Sequence, residues 1–235
     1  MNSFKEYTTL FFIILFLFIS INFIDTHTQS VMNSQVNASD PFIVVIDAGH
    51  GGFDSGKVGV DGTLEKEINL SIAKRLEKLL LSADVHVIMT RTDDCGLYEE
   101  SSDNKKRQDM NHRVTLMNES NADCIVSIHQ NSYPDESIDG AQVFYYTGSK
   151  EGKTLATLIQ WELITDVDPS NHRTEKSNDS YYLLKNVSSP MVIVECGFLS
   201  NQAESKKLVD DAYQQKLAWA IHMGILQYLN ESFIN

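Results

Sequence analysis

Short runs of apolar, β-branched residues alternate with segments of helical periodicity along most of this chain, and this alternation is the main constraint on its fold. Phe42–Asp47 reads as a buried strand, and in Leu64–Leu81 leucine and isoleucine recur at the spacing of one helix face. Such alternation predicts an α/β domain with a mostly parallel sheet flanked by helices. The other predicted strands are Val85–Met89, Asp123–His129, Gln142–Tyr146 (placed at an edge) and Met191–Glu195, and the other predicted helices are Asn111–Glu119, Gly152–Thr165 and Ala203–Leu229.

The N-terminal segment differs in composition from the rest of the chain. Thr8–Ile24 contains no charged side chain, and Lys5 precedes it. This length is near the lower limit for a membrane-spanning helix, and no clear small-residue cleavage site follows. We therefore predict that residues 1–26 are an export segment, an uncleaved membrane anchor in preference to a cleaved signal peptide. Residues 27–40 then form a polar linker, and the domain 41–235 lies outside the cytoplasmic face of the membrane.

Charge and cysteine content exclude several classes of protein. The 235 residues include 32 acidic and 19 basic side chains, a formal net charge of −13. This balance argues against nucleic acid or an anionic lipid surface as the main partner, so contact with the membrane is expected through the N-terminal segment only. Cys95, Cys124 and Cys196 are odd in number and widely spaced. They form neither a disulfide framework nor a zinc knuckle, although one pair could close in an oxidising compartment.

The glycine-rich loop after the first predicted strand is close to a phosphate-binding loop but lacks one essential residue. Gly51–Val58 reads GGFDSGKV, whereas a P-loop requires Ser or Thr after the lysine to hold magnesium, and a helix that begins there. Gly59, Asp61 and Gly62 follow the valine, so the chain turns again instead of entering a helix. Nucleotide binding is therefore disfavoured.

Four polar residues lie where apolar segments end. His50 follows the first strand, His129 and Glu195 end two other strands, and Glu65 lies in the first turn of the helix after the glycine loop. Because the carboxyl ends of parallel strands meet at one edge of a sheet, we expect these side chains to share a cleft. Two histidines and a carboxylate suit zinc with an open fourth position, and a further carboxylate is needed to move a proton of the water. Glu195 suits that second role.

Other interpretations of the same residues remain at this point. A lone histidine at a strand end most often only forms hydrogen bonds. Glu65 is also placed to interact with the positive end of a helix, and Glu67 is its rival as a metal ligand. A Cys196 nucleophile paired with His129 is disfavoured, because Cys196 lies in an apolar run and by strand alternation faces away from Glu195.

Four segments together resemble the zinc-dependent N-acetylmuramoyl-L-alanine amidases, cell-wall hydrolases often called amidase type 3. They read VVIDAGHGGFDSG, LEKEINL, VSIHQNS and VIVECGFLSN, and the resemblance spans about residues 42–230. It implies one zinc ion held by His50, Glu65 and His129, with Glu195 as the catalytic residue, and it favours Glu65 over Glu67. The fold it implies is a twisted sheet flanked by helices, a phosphorylase/hydrolase-like amidase fold.

Four further residues in or near these segments also have an interpretation. Arg91, in TRTDD, and Arg113 are implied to be structural. Ser127 precedes His129 by two residues on the same strand face and is placed to support it. Gln130 departs from the family pattern, in which a small residue is common, and this departure bears only on substrate detail.

The resemblance also implies the reaction and its setting. These amidases cleave the amide between the lactyl group of N-acetylmuramic acid and L-alanine of the peptidoglycan stem peptide. The segments GAQVFYYTGS, YYLLKN and ECGFLSNQAE particularly resemble germination-specific amidases of endospore formers, which prepare spore cortex for muramic-δ-lactam formation in the envelope or spore intermembrane space. Because a cleft open to a glycan strand is shallow, we also expect an accessory protein to aid zinc or substrate binding. The alternatives are a vegetative autolysin or cell-separation amidase, a non-catalytic wall-binding regulator and a zinc carboxypeptidase.

Overall fold

The computed structural model describes residues 41–232, which form one six-stranded sheet with helices on both faces. The predicted anchor (1–26) and linker (27–40) lie outside these residues. Between residues 41 and 232, no helix is both long and apolar enough to cross a membrane. The strands are β1 (Ile43–Ala48), β2 (His86–Met89), β3 (Cys124–Asn131), β4 (Gln142–Tyr146), β5 (Lys176–Asn178) and β6 (Met191–Phe198). The helices are α1 (Glu65–Leu81), α2 (Lys105–Glu119), α3 (Lys150–Glu162), which a π-helical turn (Leu163–Val167) extends, α4 (Tyr182–Asn186), α5 (Gln202–Leu208) and α6 (Asp211–Ser232).

The order of the strands brings the carboxyl ends of β1, β3 and β6 together. The order is β2-β1-β3-β6-β4-β5, and β2, β1, β3 and β6 run parallel to one another. Asp47 of β1 pairs with Ser127 of β3, and His129 of β3 pairs with Glu195 of β6. The predicted mostly parallel sheet is confirmed, and three strand ends form one rim.

β4 is an interior strand, so its predicted place at the edge is wrong. It runs antiparallel to β6 on one side and pairs with β5 on the other. The strand at this edge of the sheet is β5 (Lys176–Asn178). Its sequence, KSN, contains no apolar residue. A strand this short and polar carries no periodic signal, which is why the sequence did not predict it.

The predicted helix Ala203–Leu229 is two helices, α5 and α6. Asp210 lies between them, and its side chain accepts a hydrogen bond from the backbone N–H of Tyr213 at 2.9 Å. The Gln214 side chain donates to the carbonyl oxygen of Leu208 at 2.8 Å. Because aspartate is more favourable as a cap at a helix N-terminus than inside a helix, the chain ends one helix there and begins another.

Alternate residues of the strands pack on opposite faces of the sheet. Val44 and Ile46 of β1 belong to a core with α1, α3 and α6, whereas Val45 packs with α2 and α4. These side chains are fully buried, and burial of each stabilises the fold by about 1.5–3 kcal/mol. By strand alternation, His129 and Glu195 lie on the face covered by α2 and α4.

Candidate metal centre and active-site cleft

The structure brings His50, Glu65 and His129 together at the rim of the sheet. The Oε1 atom of Glu65 lies 3.2 Å from Nε2 of His50 and 3.0 Å from Nδ1 of His129. The two imidazole rings meet edge to face, with centroids 4.9 Å apart. Glu65 is 2 % exposed, whereas Glu67 is exposed on the outer side of α1. The rival carboxylate is therefore outside the cluster.

The carboxylate of Glu65 is held in the ionised state that a metal ligand requires. Burial by itself would raise its pKa, but hydrogen bonds and charge interactions with His129 and His50 lower the pKa well below its usual range. Oε2 accepts the backbone N–H of Lys57 at 2.8 Å, and Oε1 accepts that of Gln130 at 3.0 Å. These bonds hold the carboxylate in the cluster, and its place in the first turn of α1 also suits the positive end of that helix.

His50 occupies a strained backbone conformation that two buried arginines stabilise. Its φ angle is +62°, in the left-handed region that residues other than glycine rarely adopt. Arg113 donates to the carbonyl oxygen of His50 at 2.7 Å, and Arg91 donates to those of Ala48 and Gly49 at 2.8 and 3.1 Å. The guanidinium groups thus determine the course of the loop that carries His50.

The position of Arg113 depends on Asp47, the single acidic residue of β1. Asp47 is fully buried; it pairs with Arg113 and accepts hydrogen bonds from Ser127 at 2.6 Å and Thr90 at 2.8 Å. Burial would raise the pKa of Asp47, but Arg113 and these hydroxyl groups lower it, so the pair stays charged. Ser127 therefore supports the loop of His50 through Asp47, and does not contact His129 as its place on the strand suggested.

A second carboxylate orients the ring of His50. Oδ2 of Asp54 lies 3.1 Å from Nδ1 of His50, which leaves Nε2 directed at Glu65. Burial would lower the pKa of His50, but the bonds to Asp54 and Glu65 raise it to about 9. A carboxylate on the far nitrogen of a metal-binding histidine fixes its tautomer and orientation.

Close packing determines the position of the other histidine. A Cβ atom on Gly49 would lie 2.3 Å from the ring of His129, so only glycine leaves room for the imidazole there. The Asn69 side chain donates to the carbonyl oxygen of Gly49 at 3.0 Å, and that of Gln130 donates to Asn69 at 3.2 Å. The unusual Gln130 thus points into the buried polar layer behind the cluster.

Glu195 lies beside His129 with an unused buried oxygen. The residue is 8 % exposed, and its Oε2 has no hydrogen-bond partner among residues 41–232. Burial raises its pKa to about 7, an effect that His129 opposes and Glu65 reinforces. A carboxyl group with a pKa near neutrality can both accept and release a proton, as a general acid-base residue must.

The donor set fits one divalent metal ion. One ligand atom from each of His50, Glu65 and His129 lies within 4.8 Å of the other two, and the three comprise two imidazoles and an ionised carboxylate. A set of three such ligands with the fourth position open is typical of catalytic metal sites. The free Oε2 of Glu195 adds a polar acceptor at the same rim.

The cluster opens into a cleft that extends toward α2 and α4. A cavity of about 400 Å³ is lined by His50, His129 and Glu195 and by residues of α2 and α4 that include Met110 and Leu183. A second cavity of about 300 Å³ shares the same three polar residues and continues over the glycine loop. The three polar residues therefore lie where the two cavities adjoin.

Comparison with known proteins identifies the family. Residues 44–227 match the family model described as N-acetylmuramoyl-L-alanine amidase. The chain belongs to this amidase family. The germination-specific N-acetylmuramoyl-L-alanine amidase of Bacillus subtilis is 38% identical to this amidase over 192 residues, which cover 80% of each chain.

Solved structures of the family share the fold. The CwlD amidase from Clostridioides difficile, determined in complex with the GerS lipoprotein, is 43% identical with a TM-score of 0.78, over 80% of this amidase and 98% of that chain. An N-acetylmuramoyl-L-alanine amidase from Clostridium difficile 630 is 33% identical with a TM-score of 0.72, over 82% of this amidase and 98% of that chain. The predicted amidase fold is confirmed.

The disfavoured interpretations find no support in the structure of this amidase. Val58 forms a β-bridge with Leu64, so no helix follows Lys57. Cys196 is fully buried, and burial raises the pKa of its thiol, as expected of an inert cysteine. All three cysteines are free; Cys95 is exposed and the other two are buried.

Sequence reasoning missed two residues at the site of this amidase. Asp54 follows His50 by four positions within the same loop, a spacing that would have indicated a contact only if the turn of the loop were known. Tyr181 lines both cavities of the cleft, yet it lies in a segment with no strand or helix prediction. Both reach the site through loop geometry that periodicity does not describe.

Proposed function

We propose that this amidase is a zinc-dependent peptidoglycan hydrolase that cleaves the amide between N-acetylmuramic acid and L-alanine of the stem peptide. The main support for this proposal is that His50, Glu65 and His129 lie close together, beside a Glu195 oxygen that has no hydrogen-bond partner among residues 41–232. Two imidazoles and a carboxylate are typical zinc ligands. A pure wall-binding protein has no use for a buried carboxyl group with a pKa near 7.

The residues of the cleft account for the proton transfers of the reaction. Water adds through its oxygen to the carbonyl carbon of the amide, and the carbon–nitrogen bond breaks. Glu195 accepts a proton from the water and delivers it to the departing nitrogen. The products are the lactyl carboxylate and a peptide with a free, protonated amino group. Zinc held by His50, Glu65 and His129 would supply the Lewis acid that polarises the carbonyl and makes water acidic near neutral pH.

Product analysis tests this reaction directly. The full chain, purified in detergent with zinc, is incubated with purified peptidoglycan, and the soluble products are identified by mass spectrometry. We expect intact stem peptides that begin with L-alanine, and glycan with unsubstituted muramic acid. Peptides shortened at their carboxyl end would instead indicate a carboxypeptidase, and no release from the zinc-loaded protein on any wall substrate would indicate a binding protein.

We further propose that the natural substrate is spore-cortex peptidoglycan and that residues 1–26 hold the domain at a membrane. The similarity to the germination-specific amidase of Bacillus subtilis supports the cortex assignment. Parallel digestion of cortex and vegetative walls tests it: faster release from vegetative walls would favour an autolysin. Retention of the full chain in the membrane fraction after alkaline washing tests the anchor.

An accessory protein is a further part of this proposal. The CwlD amidase from Clostridioides difficile was solved in complex with the GerS lipoprotein. The cleft of the present amidase adjoins a cluster to which three side chains among residues 41–232 contribute, and a partner that aids zinc or substrate binding suits such a site. Zinc titration of the purified chain tests this: a tight site in the protein alone would argue against a need for help with the metal.

Replacing Asp54 with asparagine should weaken zinc binding by about 10–100-fold, because His50 loses the charged partner that holds its ring in place. Isothermal titration of the metal-free full chain with zinc measures the effect. Asp135→Asn is a matched control, since Asp135 is exposed and its side chain bonds only to Ser137. Equal zinc affinity in the two variants would mean that Asp54 does not orient the ligand.

A further inference from the structure

Tyr181 has a ring held rigidly at the wall of the cleft. It directly precedes α4, and its backbone N–H donates to the Oδ1 atom of Asn178 at 2.8 Å. Its carbonyl oxygen accepts the backbone N–H of Lys185 at 3.1 Å in the first turn of α4. The ring packs against that of Phe144 of β4, with centroids 5.5 Å apart. Phe144 is itself buried in the core between the sheet, α2 and α4, so the phenol cannot easily turn away.

Tyr181 lines the cleft beside the candidate reacting groups, and its hydroxyl is an uncommitted hydrogen-bond donor. Tyr181 lines both cavities, in each case together with His50, His129 and Glu195. Within the part of the chain that the structure describes, its hydroxyl makes no hydrogen bond. Its neighbour Tyr182 differs, because the Tyr182 hydroxyl donates to Oδ1 of Asn111 at 2.7 Å.

Two other side-chain donors of the same cleft, those of Lys106 and Gln130, already have partners. Lys106 lies at the rim with its Nζ atom 3.4 Å from Oδ2 of Asp54. The amide of Gln130 donates to Asn69 in the buried layer. The phenol of Tyr181 is thus available to a substrate without breaking an existing bond.

We propose that Tyr181 is a further catalytic residue, whose hydroxyl donates a hydrogen bond to the oxyanion that develops on the carbonyl oxygen of the scissile amide. This role rests on the proposed amidase reaction and deepens it. As water adds to the carbonyl carbon, negative charge develops on the carbonyl oxygen, and a donor already fixed in place stabilises that charge without reorganisation. The proton stays on the phenol throughout, so Glu195 remains the group that accepts and returns the proton of the water.

The environment of the phenol favours the donor form. Burial raises its pKa, and the nearby carboxylates of Glu195 and Glu65 raise it further. The hydroxyl therefore keeps its proton across the range in which Glu195 titrates. Phe144 and the start of α4 hold the ring where it is, so little conformational freedom is lost when substrate binds.

The test compares the same substitution at two adjacent tyrosines, Tyr181→Phe and Tyr182→Phe, in the zinc-loaded full chain. For Tyr181→Phe we expect kcat to fall on the order of 10²-fold with KM nearly unchanged, because the lost bond strengthens in the transition state. Zinc affinity by calorimetry and the temperature of unfolding should stay at wild-type values. Tyr182→Phe should keep the wild-type kcat, since the Tyr182 hydroxyl already donates its proton to Asn111 and is not available to the substrate.

Two results would overturn the assignment. A wild-type kcat in Tyr181→Phe would show that the hydroxyl does not stabilise the transition state. A raised KM with unchanged kcat would show that it binds substrate equally in both states, which is a positioning role only. Inactivity of the wild-type chain would instead count against the proposed reaction, so the two failures are distinguishable. Binding of a synthetic muropeptide to Glu195→Gln, with and without Tyr181→Phe, gives a readout that does not depend on turnover, and equal affinities are expected.

Discussion

Replacing Glu195 with glutamine should greatly slow amide cleavage while it stabilises the metal-free protein. Glutamine has nearly the same shape but cannot accept a proton from water, and loss of a general acid-base residue costs about 10²–10⁴-fold in rate. Release of stem peptides by the full chain, followed by mass spectrometry, measures the loss. Zinc binding should persist, because Glu195 is not among the three clustered ligands. Cleavage at the wild-type rate would remove Glu195 from the mechanism.

The gain in stability follows from the raised pKa of Glu195. Its pKa lies at about 7 in the folded protein against 4.5 in its usual state, so ionisation of this group opposes folding. The penalty is absent below about pH 4.5, grows as the pH rises, and is complete above about pH 7. The free energy of unfolding of Glu195→Gln, relative to wild type, should therefore rise across this range by about 3 kcal/mol. Urea denaturation at several pH values, with a chelator present, measures it.

Glu204→Gln is the matched control for the effect on stability. Glu204 is also buried, but both of its oxygens accept backbone N–H groups, from Gly140 at 3.1 Å and Phe198 at 2.8 Å. An amide keeps only one acceptor, so this variant should lose about 1–3 kcal/mol. If Glu195→Gln raises the free energy of unfolding and Glu204→Gln lowers it, the buried Glu195 oxygen without a hydrogen-bond partner costs the folded protein stability. Destabilisation by both substitutions would contradict this explanation.

Replacing Glu65 with glutamine should remove zinc binding and, with it, activity. Its Oε1 lies between His50 and His129, and no other carboxylate among residues 41–232 belongs to this cluster. Loss of an outer hydrogen-bond partner of a metal ligand typically costs 10–100-fold in affinity, so loss of a charged ligand should cost more than about 100-fold. Zinc titration of the metal-free full chain measures this change.

The adjacent carboxylate provides the control. Glu67→Gln makes the same chemical change two residues along α1, at an exposed position outside the cluster. It should keep wild-type zinc affinity and release of stem peptide. Equal losses in both variants would mean that the charge of the helix start, and not a specific ligand, determines binding. Wild-type affinity in Glu65→Gln would exclude Glu65 as a ligand.

The polar residues near the carboxyl ends of the strands were predictable, because His129 and Glu195 each follow a run of buried residues. The strand ends themselves were predicted too early, since β3 continues to Asn131 and β6 continues, still buried, to Phe198. Given a parallel sheet, such residues must meet at one rim, as the pairing of His129 with Glu195 shows. Helix α1 was equally clear, because its apolar stripe is long and regular. The choice of Glu65 over Glu67 came from resemblance to a family, since both lie in the same first turn.

Elements without periodic patterns were not predictable. The polar strand β5 pairs only because β4 offers it an edge. Asp210 divides the closing helix by its own side-chain bond to a backbone N–H, although apolar spacing continues across it. Helix α2 begins at Lys105 instead of Asn111, because Asn104 accepts the backbone N–H of Arg107. In each case a few hydrogen bonds decide the boundary, and average residue preferences do not encode them.

The sequence by itself determined the order of the longer strands and helices, the polar residues near their ends, and so the members of the candidate metal cluster. These are local properties, set by the alternation of apolar and polar residues along the chain. Only the tertiary structure decided how these residues face one another. The left-handed turn at His50, the approach of Asp54 to it and the free hydroxyl of Tyr181 depend on loops packed against distant segments. Contacts between residues far apart in the chain produce no periodic pattern in the amino-acid sequence. They become visible only in the three-dimensional structure.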